Sequence, residues 1–147
     1  LGPLASAAET LGIRIESMPI RSGDDMEEAF RVAARAQIDG LLVQPNPILG
    51  LKYRESAFLA LKHRLPSVSI FRNAAEDGLL LSYGTSQVAM TRRAAYYVDR
   101  VLRGASPATL PIEQPREFDL VVNATTAQAL GLTIPPTVML QATEIVS

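Results

Sequence analysis

Leu79 to Leu132, LLLSYGTSQVAMTRRAAYYVDRVLRGASPATLPIEQPREFDLVVNATTAQALGL, decides the fold. It opens on a continuous apolar run, the composition of a strand buried on both faces, and reaches a small-residue turn at Tyr83-Gly84-Thr85-Ser86. From Ser86 to about Leu102, Val88, Ala95, Val98 and Leu102, joined by Tyr96 and Val101, repeat at helical spacing, and Gly104 is placed to end that helix. Pro107, Pro111 and Pro115 mark the next stretch as a linker lying over a surface. Phe118 to Val122 reads as another strand and Thr125 to Leu130 as a short helix, followed by a turn from Gly131 to a Pro135-Pro136 stop. In an α/β protein the turn leaving a strand's carboxyl end and opening a helix is where ligands usually sit. Tyr83 to Ser86 is therefore the first place to look for a site.

Upstream of this stretch, helices and strands alternate. Ala5, Ala7 and Ala8 favour a helix from Leu4 to Leu11 that Gly12 ends, and Ile13 to Ile20 alternates like a strand until Pro19 disturbs it. Asp24 with Glu27 forms a capping box for a helix to about Ala36, with Met26, Phe30, Ala33 and Ala34 at core spacing. Gly40 to Val43 is a short buried strand stopped by Gln44-Pro45-Asn46-Pro47. A helix from about Leu49 to Arg64 follows, its expected core face Leu51, Phe58, Leu61 and Leu65, and Pro66 stops it. Ser67 to Phe71 is a strand, Arg72 to Gly78 a polar connection, and Leu79 to Tyr83 a strand. Strands separated by helices at this spacing predict an α/β fold with a mostly parallel sheet flanked by helices.

Composition narrows the function classes. A chain of 147 residues, 48% hydrophobic and 20% charged, can bury one core but hardly two. With a net charge of −1 and no basic stripe, nucleic acid is not an expected partner. No apolar run approaches the roughly 20 residues that cross a bilayer. The absence of cysteine removes disulfides and thiolate chemistry without fixing the compartment.

Catalysis finds little support in the residues. His63 is the lone histidine and lies between Lys62 and Arg64 at a helix end, where positive charge complements the dipole, so a structural role is expected. Asp24, Asp25, Glu27 and Glu28 open a helix, where carboxylates answer the same dipole rather than bind metal. Neither a phosphate-cradling glycine loop nor a Ser-centred elbow is present, so no cofactor and no enzymatic activity is expected.

Binding groups are better placed. If the sheet is parallel, Gln44 and Asn46 follow one strand, Phe71 and Arg72 another, and Tyr83, Thr85 and Ser86 a third, all at one edge. There Arg72 can pair a carboxylate, Phe71 and Tyr83 can stack an apolar group, and the free amides at Thr85-Ser86 can take an anion. Each has a plainer alternative: Phe71 in the core, Tyr83 in a local hydrogen bond, Arg72 in solvent or paired with Glu76 or Asp77.

The succession HRLPSVSIF (His63 to Phe71), GLLLSYG (Gly78 to Gly84) and RRAAYYVDRVLRGASPATLPIEQPREFDLVVNATTAQALGLTIPPTV (Arg92 to Val138) resembles the carboxyl-terminal half of ABC-transporter substrate-binding proteins of the tryptophan and tyrosine type. That resemblance implies one lobe of a type I periplasmic binding protein-like fold, closing with a second lobe on a small-molecule solute and handing it to an ABC permease. It implies a periplasmic or extracytoplasmic protein, with an amino acid or related carboxylate as solute. On this reading residues 1–147 are a carboxyl-terminal solute-binding lobe that lacks its amino-terminal lobe, signal sequence and first strand. Residues 85–116 would pack on the missing lobe, and surface left uncovered invites a homodimer. An intracellular flavodoxin-like regulatory or ligand-sensing domain is the alternative, though it calls for an acidic cluster at a strand end, and here the acidic residues open a helix.

Overall fold

A computed structural model of the chain describes residues 2–23 and 25–147. Strands β1 (Leu41–Leu42), β2 (Ser67–Ser69) and β3 (Leu81–Thr85) run parallel, with Leu41 opposite Ser67 and Val68 opposite Leu81. β4 (Phe118–Asn123) lies antiparallel to β3, from Leu81 opposite Val122 to Thr85 opposite Phe118, and β5 (Glu144–Val146) runs parallel to β4. The sheet order is β1-β2-β3-β4-β5. The expected α/β fold with a mostly parallel sheet is what the chain forms.

The reversal at β4 has a local cause. A parallel crossover needs its helix to pack back across the sheet. Helix α5 (Gln87–Leu102) does not, since none of its sixteen residues is buried. The chain leaves the sheet through α5, turns in a 3₁₀ segment at Pro107–Thr109, and returns in extended form to the edge it left. The Ser86 amide donating to the Glu117 carbonyl at 3.0 Å closes that excursion. Arg93 ties the return segment to α5 through its Nε bond to Glu113 at 2.8 Å, while its guanidinium lies 4.1 Å from the Tyr96 ring centroid. Tyr97 donates its hydroxyl to the Pro111 carbonyl at 2.8 Å.

The core lies between the sheet and helices α2 (Asp25–Arg35), α3 (Tyr53–Lys62) and α4 (Arg72–Glu76). Met26, Phe30, Tyr53, Leu59 and Leu79 fill it, with Ala57, Ala60 and Ala74 between them. Met26, Phe30 and Ala33 are buried as their spacing predicts, and Asp24 of the capping box lies outside the described residues. The expected face of α3 needs correction. Leu51 is 91% and Phe58 66% exposed, while Tyr53, Ser56, Ala57, Leu59 and Ala60 are buried. A 3₁₀ turn at Leu49–Leu51 ends before α3 begins, so Leu51 does not share its face, and small residues let the helix approach closely.

Three further expectations change. Residues 13–20 form no strand among the described residues, and Ile13 and Ile15 are exposed. Alternation supplies the side-chain pattern of a strand but not the backbone partners it needs. Arg72 to Gly78 is not a simple connection, because Ala74 and Ala75 bury a short helical turn, α4, against the sheet. The Pro135-Pro136 pair starts a helix instead of only ending one, since proline suits a first helical position: α7 is Pro136–Gln141. The three-residue strand β5 after it was not read from the sequence.

Helix α1 (Gly2–Thr10) ends at Gly12 with φ 66°, and α6 (Ala124–Leu130) at Gly131 with φ 72°. Buried Asn123 accepts from the Thr126 amide at 2.8 Å, capping α6, and donates through Nδ2 to the Ala75 carbonyl at 2.9 Å. That one side chain fixes the end of β4 to α4.

Candidate functional site

Because β1, β2 and β3 are parallel, their carboxyl ends share one edge of the sheet. Gln44 and Asn46 follow β1, Phe71 and Arg72 follow β2, Tyr83 and Thr85 belong to the end of β3, and Ser86 follows it. Within that edge the structure opens a shallow depression of about 100 Å³, lined by Ile70, Arg72, Gly84, Thr85, Gln87, Val88 and Asp119. Of the seven residues singled out from sequence, only Arg72 and Thr85 line it.

Four of the other five have local engagements. Asn46 Oδ1 accepts the amides of Ile48 at 2.8 Å and Leu49 at 2.7 Å, a cap for the 3₁₀ turn. Phe71 packs partly buried against the core, the plainer of its two readings. Tyr83, 55% exposed, stacks on Phe118 with ring centroids 5.8 Å apart and planes 17° from parallel. Ser86 is buried, and its amide is not free as expected, because the Glu117 carbonyl accepts it. The first-turn amides of α5 remain, and Gln87 and Val88 bring that helix start to the depression. Gln44 is exposed and lies outside the depression.

Arg72 is held on two sides. Its Nε donates to Glu76 at 2.7 Å, one turn on, and its Nη2 to Glu144 on β5. The Glu144 and Glu76 carboxylates raise the guanidinium above its ordinary pKa, so it stays protonated. The Glu76 pairing was among the sequence alternatives, whereas Glu144 is reached only through the sheet order.

Gly84 makes the floor of the depression. A Cβ there would stand 1.9 Å from the Ile70 carbonyl oxygen, so no other residue fits without moving backbone. Directly across the ladder from Gly84 is Asp119, a residue that sequence reasoning missed. The signal was a carboxylate inside the apolar run Phe118 to Val122, uninformative until the antiparallel register set it opposite a glycine.

The chain matches the model of the ABC transporter substrate binding protein family over residues 3–146. It belongs to that family. Among solved structures, a conserved domain protein from Vibrio cholerae O1 biovar El Tor str. N16961 superposes with a TM-score of 0.86 at 24% identity, over 98% of this chain and 48% of that one. The ABC domain in complex with L-Trp from Streptococcus pneumoniae gives a TM-score of 0.86 at 22% identity, over 99% of this chain and 49% of that one. The ligand-free, open structure of a substrate binding protein with adhesive properties from Clostridium difficile gives 0.77 at 17% identity, over 99% and 48%. At these identities the likeness is one of fold. The chain spans about half the length of each. No curated protein matches it.

Proposed function

We propose that this chain is one lobe of the solute-binding component of an ABC importer, and that its solute sits at the carboxyl edge of β1, β2 and β3. The observation that carries this reading is the depression beside Gly84, open at the strand edge in a chain of the substrate binding family. A hollow of about 100 Å³ is smaller than the roughly 300 Å³ at which enclosed ligand sites begin, so the solute needs a second wall. A second lobe packed over the exposed face of α5 and over residues 85–116 would supply it. Gln44, Asn46, Phe71, Arg72, Tyr83, Thr85 and Ser86 stand on or beside the rim of that cleft, Arg72 and Thr85 in its wall.

An amino acid or related carboxylate is the proposed class of solute, in line with the L-Trp complex of the Streptococcus pneumoniae structure. The protein would bind and release without turnover, outside the cytoplasmic membrane, and deliver to a permease. Family membership supports solute binding over the intracellular regulatory reading. Calorimetry on the two-lobed protein with the twenty L-amino acids and their desamino acids tests it. Saturable binding of at least one is expected, and silence across the panel would overturn the reading.

A further inference from the structure

A second hollow opens at the other end of the sheet from the solute edge. β4 runs antiparallel to β3, so Val122 lies across from Leu81 at the beginning of β3, and the chain then turns into α6. The hollow measures about 310 Å³, against about 100 Å³ for the depression beside Gly84. Val122, Ala127, Leu132, Ile134 and Met139 line it, and Gln128 is its one polar member among the described residues. Neither the solute edge nor α5 makes use of it.

The surface around the hollow carries no charge. From Leu120 to Thr143 the sequence holds no Asp, Glu, Lys or Arg, although charged residues make up 20% of the chain. Leu132 is exposed, and so is Ile145, which faces Val122 across the β4–β5 ladder on the same side of the sheet. Leu140, the residue after Met139 on α7, is 86% exposed. An apolar patch without charge is the composition of an interface centre rather than of free surface. An acidic or basic partner finds no opposite charge on it, and a bilayer surface finds no lysine or arginine for its headgroups. A second copy of this chain brings the same uncharged patch, so nothing repels, and it brings Leu140.

We propose that α6, the turn after it and α7 form a homodimer interface, in which Leu140 of each copy enters the hollow of the other. A two-fold interface needs a surface that complements itself. An exposed leucine beside an apolar hollow meets that need, since knob and hole stand on one patch. The hollow is large against the roughly 30 Å³ share of one water molecule, so it has room for a leucine side chain. Residues 124–141 with Ile145 approach the roughly 20 residues a side found in the smaller stable interfaces. Because this patch lies at the start of β3 and the solute edge at its end, dimerisation leaves Arg72, Thr85 and the face of α5 free. Each copy can still take a solute and a second lobe.

Sedimentation velocity of the 147-residue chain, over a dilution series from micromolar to near-millimolar, tests this. The wild type should show a concentration-dependent monomer–dimer equilibrium. Leu140→Glu should raise the dissociation constant about tenfold or more, because it brings a charge to an apolar hollow. Wild type mixed with the variant should give an intermediate constant, since one of the two contacts survives. Leu102→Glu, at the end of α5, is the control and should leave the constant unchanged. Should Leu140→Glu not fold, Leu140→Ser gives the same reading with a smaller shift. A wild type that stays monomeric throughout overturns the proposal. So does a dimer that the Leu140 variants leave intact, or one that Leu102→Glu weakens as much.

Discussion

α3 and α5 both read from sequence as helices with an apolar face, and they end in opposite surroundings. α3 has ten residues with five buried, and α5 has sixteen with none. An apolar stripe does not by itself secure burial, since Val88, Ala95, Val98 and Leu102 give α5 one as well. What separates them is the surface each meets. α3 lies against α2, α4 and α6, while α5 leaves the sheet at its start and comes back only as an extended segment. Periodicity states that a helix face wants cover, and only the tertiary arrangement states whether this chain supplies it. Leu102, 82% exposed at the end of the stripe, belongs to a face that this chain leaves uncovered.

Deleting apolar volume should separate the two helices most sharply. Leu59→Ala in α3 opens a cavity in a packed core and should cost about 2–5 kcal/mol in chemical denaturation. Val98→Ala in α5 should alter the stability of this chain by less than about 0.5 kcal/mol, as surface substitutions do. In the two-lobed protein the same Val98 substitution should cost about 1 kcal/mol or more, because the valine would there be covered. Equal costs for Leu59 and Val98 in this chain would break the comparison.

A smaller effect is expected where α5 holds its return segment. The hydrogen bond from the Arg93 side chain lowers the pKa of Glu113 below its ordinary value. A depressed carboxyl pKa gives stability that is present above the unfolded-state value and is lost as pH falls through the folded one. The pair is solvent-exposed and screened by salt, so the effect is slight. Thermal melts of the wild type and Glu113→Gln between pH 7 and pH 3 should show a gap that closes toward the acid end. Asp25 and Glu27, whose carboxyls are also held low by hydrogen bonds, contribute alike to both proteins and cancel in the difference. A gap that widens on acidification would contradict the assignment.

The same contrast explains what the sequence could and could not disclose. Helices α2, α5 and α6 and strands β3 and β4 were legible, because caps, glycines and spacing are local signals. The buried face of α3 was not. Its Ser56, Ala57 and Ala60 matter by being small, and a reading that weighs large side chains passes over them. Ile13 and Ile15 alternate as a strand should, yet pairing depends on what lies beside them rather than on what they are. The shared strand edge was legible for the site, since it follows from parallel topology. Asp119 was not, since its position opposite Gly84 depends on a register that closes only after α5 and the linker have gone out and returned. Nor was the second partner of Arg72, Glu144, seventy-two residues away on β5.

The central claim is that α5 is a docking face for a second lobe whose closure completes the solute site. Amide hydrogen exchange reads it directly, because a helix with no buried residues opens locally at little cost and a packed one does not. In the 147-residue chain alone, amides of α5 should exchange orders of magnitude faster than those of α3. In the two-lobed protein, α5 should slow toward the α3 rates. Exchange in α5 that is already as slow as in α3 in the single chain, or that stays fast when both lobes are present, would contradict the account.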